Sequence, residues 1–173
     1  MKIKFNHIQD LNDARYAAAV MAEWIGFAID GSYAIAPEKI QQIIGWCSGP
    51  KIIIEIYGEP NPLKIKSWFD VLPIDGIECE SQHYETLREI FHQPELEWIV
   101  RNTLNAPNAF SHSQVCEIHE HHIINILEPT NAIADWIQAD QPSAISLNCH
   151  PEMELGKKDF DAMNDFFEKL EIL

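Results

Sequence analysis

Basic residues are scarce in this chain. Twelve Lys and Arg stand against 27 Asp and Glu in 173 residues, for a formal net charge of −15. Such a surface repels nucleic acid and anionic lipid, and it makes a generic phosphate site harder to build. No apolar run approaches the roughly 18 residues of a membrane-spanning helix. The opening MKIKFNHIQD lacks the apolar stretch of a secretion signal. The four cysteines, at 47, 79, 116 and 149, form no C-x-x-C pair. Reduced thiols in a cytoplasmic protein are therefore expected. P-loop, G-x-G-x-x-G, G-x-S-x-G and H-E-x-x-H motifs are all missing, so no cofactor is expected.

What is present is an alternation of short apolar runs with segments of helical period. Strands are predicted at 2–6, 24–29, 51–57, 76–80, 96–102, 121–127 and 143–148. Helices are predicted at 11–23, from Pro37 onward, at 61–72, 81–93 and 129–140, and at the C-terminal end. Asp10 is the expected N-cap of the first helix, with Leu11, Ala14, Ala18 and Met21 on one face. Pro37 and Pro129 are expected in first turns, where proline is favoured. Phe160, Met163, Phe167 and Leu170 form the apolar face of the last helix. The rhythm implies a parallel sheet wrapped by helices, in a single domain spanning 1–173. The stretch 105–121 is ambiguous. It is either one helix joining two strands, with a β/α unit missing, or it contains an eighth short strand, SQVCEIH. Its 17 residues favour a missing unit, since a strand, a helix and their loops need more room.

Several segments resemble the phosphoribosylanthranilate isomerase family. Lys4-Phe5-Asn6-His7-Ile8-Gln9 stands in the slot of that family's opening K-I-C-G-I-T. Asp13-Ala14-Arg15, Ala17-Ala18 and Gly26-Phe27 follow its first helix and second strand. Ser32-Tyr33-Ala34-Ile35-Ala36-Pro37-Glu38 resembles S-P-R-Y-V-S-P-E. Asn125-Ile126-Leu127-Glu128-Pro129 is similar to G-G-L-N-P, and Ser146 to Glu152 is similar to D-V-S-S-G-V-E. The resemblance implies a TIM-type (β/α) barrel, here shortened to about seven strands, with its site at the C-terminal strand ends. A homodimer would cover any strand edges left by imperfect closure.

The resemblance also implies an Amadori rearrangement in tryptophan biosynthesis, with one acid and one base. The family's basic cysteine is Asn6 here, and an amide cannot take a proton near neutral pH. The segment carrying its acidic aspartate has no counterpart. Its substrate-holding arginine is Tyr33. Its phosphate-cradling glycines become Asn125-Ile126 and Asn148-Cys149-His150, with Glu128 close by. Ordinary isomerase activity is therefore not expected.

The strand ends form instead a mouth rich in carboxylates, amides and imidazoles. The candidate ligand-binding residues are Asn6, Glu55, Glu78, Arg101, Asn125, Asn148 and His150. The candidate catalytic groups are His7 as base with Glu80 or Glu128 as acid. Glu78 and Glu80 share one strand face, where they must be paired, protonated or metal-bound. Against this stands a simpler reading, in which polar residues fill an emptied mouth and Arg101 neutralises the glutamates. Cys116, His119, His121 and His122, with His112 nearby, lack the second ligand pair of a zinc module, so no metal is assigned. Three functions stay open: a divergent barrel binding a small polar metabolite, an active isomerase with substitute residues, or a non-catalytic regulatory or interaction protein.

Overall fold

In the computed structural model, residues 1–105, 113–118, 121–126, 129–149 and 160–172 are described, with side chains described except at 102–105, 113–118 and 121–122. The strands are β1 (Lys2–Asn6), β2 (Trp24–Ala28), β3 (Lys51–Glu55), β4 (Gly76–Glu80), β5 (Glu97–Asn105), β6 (Ser113–Ile118), β7 (His121–Ile126) and β8 (Ala144–Asn148). They close into a barrel in chain order. The helices are α1 (Leu11–Ala19), α2 (Pro37–Ile44), α3 (Pro62–Phe69), α4 (Ser81–Ile90), α5 (Asn131–Asp140) and α6 (Asp161–Lys169). This is a TIM-type (β/α) barrel. None of the described helices is long and apolar enough to cross a membrane.

Seven of the strands run parallel, at the places the alternation predicts; β6 runs antiparallel to both β5 and β7. Of the two readings of 105–121, the strand is the one found, over Ser113–Ile118. Only positions 119 and 120 separate β6 from β7. A link that short can join only antiparallel neighbours, because a parallel crossover needs a dozen residues or more. One antiparallel strand thus fills the place of a β/α unit and returns the chain to the common strand direction for β7 and β8.

Alternation along each strand sorts side chains into two cores. Ile3, Phe5, Ile25, Phe27, Ile52, Ile54, Ile145 and Leu147 face outward and pack with the helices. Trp24, Ile53, Ile99, Ile123 and Ala144 form a separate buried cluster inside the barrel. This inner cluster fills the barrel's middle and forms a floor beneath the C-terminal strand ends.

The local signals mostly hold. Asp10 caps α1, accepting from the Asn12 and Asp13 amides at 2.8 and 3.1 Å. Pro37 opens α2. Two details differ. α1 stops at Ala19, so its buried residues are Asp13, Ala14 and Ala17, and Met21 lies beyond the helix, 81% exposed and at φ 55°. α5 begins at Asn131 with Thr130 as N-cap, because the Thr hydroxyl accepts from the Ile133 amide. Pro129 therefore precedes the helix rather than sitting in its first turn.

Candidate functional site at the mouth of the barrel

The centre of the mouth is Lys4, which strand alternation places one layer below Asn6 on the inner face of β1. Its Nζ lies 2.5 Å from Glu55 Oε1 and 2.7 Å from Glu78 Oε2, and it also donates to Asn6 Oδ1. All four residues are buried. Burial alone would lower the lysine's pKa, but Glu55 and Glu78 outweigh it and hold Lys4 above its ordinary value. Glu78 shows the reciprocal balance. Burial would raise it, yet Lys4 and Arg101 hold its carboxyl below the usual range. Gly26 on β2 makes the pairing possible. A Cβ there would fall on the Glu55 carboxylate and 2.8 Å from Lys4 Nζ.

Arg101 at the end of β5 completes the charge set. Its Nη1 donates to Glu78 at 2.8 Å, its Nε to Glu80 at 3.0 Å, and its Nη2 to the Ile56 carbonyl. Register places Glu80 directly opposite Arg101, so the two glutamates of β4 meet one guanidinium. The pairing of Arg101 with Glu78 and Glu80, expected under the simpler reading of a filled mouth, is observed. Lys4 joins the same network and is missing from the sequence-based candidates.

His7 stands just past β1, with a left-handed backbone at φ 56°. Its amide donates to Glu55 Oε2 at 3.1 Å, its Nε2 lies 2.7 Å from the Tyr57 hydroxyl, and its ring stacks on Tyr33 with centroids 4.3 Å apart. Burial is the main influence on the imidazole and lowers its pKa. Glu55 pulls upward and Lys4 adds to the lowering. The Arg101 guanidinium lies over the Tyr57 ring at 4.1 Å, a cation–π contact. His7 is thereby linked to Glu80 through Tyr57 and Arg101. Tyr57 was visible in the sequence only as a strand-end residue, and Tyr33 only as a replacement.

Three amides form the opposite wall. Asn6 Nδ2 donates to Asn125 Oδ1 at 3.2 Å and to Asn148 Oδ1 at 3.1 Å, and Ser146 Oγ donates to Asn125 Oδ1 at 3.1 Å. These walls enclose a cavity of about 140 Å³, floored by Ile99 and Ile123. The structure brings Asn6, His7, Glu78, Arg101, Asn125 and Asn148 around it. Glu55 and Glu80 stand behind, held by Lys4 and Arg101. Glu128 and His150 lie outside the described residues, as do the side chains of Cys116, His121 and His122 and all of His112 and His119. Among the described residues no group of three or more His, Cys, Asp or Glu is placed to hold a metal ion.

Fold and site together define a (β/α) barrel with a polar C-terminal mouth, the face where such barrels carry their chemistry. Within that class the chain has the fold of phosphoribosylanthranilate isomerase. The enzyme from Thermus thermophilus superposes with a TM-score of 0.75 at 17% identity, over 99% of this chain and 98% of that one. A phosphoribosylanthranilate isomerase in complex with reduced 1-(o-carboxyphenylamino)-1-deoxyribulose 5-phosphate gives 0.75 and 17%, with both chains fully covered. The Thermotoga maritima enzyme gives 0.70 and 16%, again with full coverage of both. No family model matches the sequence, and no curated protein matches it.

Proposed function

We propose that the mouth binds a small polar metabolite and that ordinary phosphoribosylanthranilate isomerase activity has been lost. The observation that carries this reading is the state of Asn6. It occupies the slot where the family keeps its base, and its amide is committed at both ends: Lys4 donates to the oxygen, and the nitrogen donates to Asn125 and Asn148. An amide in that position cannot abstract a proton, and general acid–base steps of this kind are worth about 10²–10⁴ each. Cavity size points the same way. About 140 Å³ is well below the roughly 300–1,000 Å³ usual for drug-sized ligands. The ligand held by one of the solved relatives, a carboxyphenyl ring joined to a sugar phosphate, needs more room than that. Among the described residues around the cavity, the cations Lys4 and Arg101 are already bound to carboxylates, which leaves little positive charge there for a phosphate.

The alternative reading, an isomerase working with substitute residues, has one observation in its favour. His7 borders the cavity, and burial keeps its imidazole available as a neutral base. Glu80 or Glu128 would then supply the acid. A regulatory or interaction protein with a vestigial mouth is the third reading, and a mouth that takes up no small molecule would favour it. The decisive measurement is turnover of phosphoribosylanthranilate followed by fluorescence. We expect none above background. A clear rate that disappears in His7→Ala, together with rescue of a tryptophan auxotroph lacking the isomerase, would establish the second reading instead.

A further inference from the structure

The orientation of the three mouth amides follows from Lys4. An ammonium group has donors only, so the atom of Asn6 that meets Lys4 must be its oxygen. The Asn6 nitrogen therefore faces Asn125 and Asn148, and both of these must turn their oxygens toward it. Ser146 adds a second donor to the Asn125 oxygen and holds that amide the same way. Asn125 and Asn148 are left with their NH₂ groups uncommitted to this network, and both residues line the cavity. One buried lysine thus fixes a wall of hydrogen-bond donors on β7 and β8.

Across the cavity the balance is reversed. His7 and Tyr57 line that side and share a single hydrogen bond, which leaves acceptor capacity there, while Glu80 stands behind, held by Arg101. Among the described residues in and behind the cavity, the fixed charges are two cations, Lys4 and Arg101, against three carboxylates, Glu55, Glu78 and Glu80. The chain's net charge of −15 adds to that excess. Among the described residues lining the cavity, an entering anion finds no uncompensated cation. A neutral molecule that accepts along one side and donates along the other meets a partner at each wall.

We propose that the ligand is a neutral polyhydroxy compound, a free polyol or aldose of about four or five carbons, and that Asn125 and Asn148 are the residues that select it. The size follows from the cavity. Its 140 Å³ has room for several waters, which a chain of four or five hydroxylated carbons would replace hydroxyl for water. The apolar floor of Ile99 and Ile123 suits the C–H face of such a molecule. This proposal rests on the reading of the mouth as a metabolite site and narrows it to a ligand class.

The test is calorimetric titration of the intact protein with xylitol, D-arabinose and D-arabinose 5-phosphate, with glycine, succinate and citrate as charged comparators. Saturable binding of xylitol or D-arabinose is expected, with the phosphate ester weaker by at least about tenfold. Asn148→Asp keeps the side-chain size but replaces the NH₂ donors with oxygen. It should weaken the neutral sugar by about tenfold or more, the scale of one unpaired buried polar group, while circular dichroism and Tm show the fold retained. Asn125→Asp should act in the same direction. A phosphate ester that binds as tightly as the free sugar overturns the proposal, and so does sugar binding indifferent to both variants. If a charged comparator binds at the mouth and the neutral compounds do not, the ligand class is wrong and the metabolite site stands. If nothing in the panel binds, both fall.

Discussion

At the N-terminal end of the barrel interior, Lys51 bridges Glu97 and Glu23, and Trp24 Nε1 donates to Glu97 at 2.6 Å. At the C-terminal end, Lys4 bridges Glu55 and Glu78 in the same one-lysine, two-glutamate pattern. The side chain of Lys51 is 42% exposed, that of Lys4 1%. Solvent screens the lower set, and exposed pairs of that kind are worth about 0–1 kcal/mol. The upper set is buried. Buried pairs can cost as much in desolvation as they return in attraction, and apolar replacements are often no worse. A stabilising role therefore explains the lower pairs and leaves the upper ones unexplained. The upper set does have an effect that an apolar plug would not, since it fixes the Asn6 amide and through it the donor wall of the mouth.

Removing the upper lysine should break the comparison most severely. Lys4→Met leaves Glu55 without its lysine and Glu78 with Arg101 alone, both buried. A loss of about 3–5 kcal/mol is expected at pH 7 from urea denaturation. Because the stranded carboxylates can be neutralised, the gap to the parent protein should narrow as pH falls toward about 4. Lys4→Met/Glu55→Gln should recover at least about 1 kcal/mol of the loss, since one stranded charge becomes an amide. If Lys4→Met costs no more than an exposed pair does, the mouth is wetter than the structure implies and the contrast between the ends disappears.

Gly26→Ala comes next. At the lower end the crowded glycine is Gly76, where a Cβ would meet Ile53 and the Glu97 backbone, whereas at Gly26 the new methyl would collide with the Glu55 carboxylate that pairs with Lys4. Overpacking of this kind costs about 1–3 kcal/mol. The effect should be less than additive with Lys4→Met, because both substitutions disturb the same pair. Strict additivity would mean that Gly26 matters for some other reason.

The same contrast explains what the sequence disclosed. Strand positions were legible because an isoleucine-rich run such as KIIIEIY must be buried on both faces, and that pattern survives any change at the mouth. Strand period alone puts Glu78 and Glu80 on one face; their pairing with Arg101 is legible only as the simpler reading of the mouth. Lys4 was equally accessible, since it shares a face with Asn6 two residues away. A lysine in an opening strand nevertheless reads as solvated until the barrel closes around it. The direction of β6 follows from the two positions separating it from β7. The 17 residues of 105–121 favour a missing unit because they cannot hold a strand, a helix and their loops, but a lone strand needs no such room. The His7–Tyr57–Arg101 chain was not legible, because it depends on a left-handed turn at His7 and on the rotamers of residues from three strands.

A small effect is expected from Lys51→Met at the lower end: under about 1 kcal/mol, and smaller still in 0.5 M salt, which screens exposed pairs. Its size calibrates the larger value at Lys4. A loss at Lys51 as large as that at Lys4 would erase the difference between the two ends.

His7 supplies the most delicate test, because its contribution is read only through pH. Burial holds its imidazole below the ordinary range. Of the charged groups nearby, Glu55 and Glu78 oppose that shift, whereas Lys4 and Arg101 reinforce it. With the folded value below the unfolded one, the unfolded chain takes up the proton first as pH falls. His7's contribution to stability is thus complete above about pH 6.5 and is lost as pH drops through the folded value. Glu78, whose carboxyl is also held low, acts in a separate and more acid window: its contribution is complete above about pH 4.3 and lost below that. Urea midpoints between pH 7.5 and 5 should therefore fall with acidity in the parent protein and fall less in His7→Asn. If the two profiles run parallel, the mouth does not keep the imidazole neutral, and the reading of His7 as a substitute base loses the one observation in its favour.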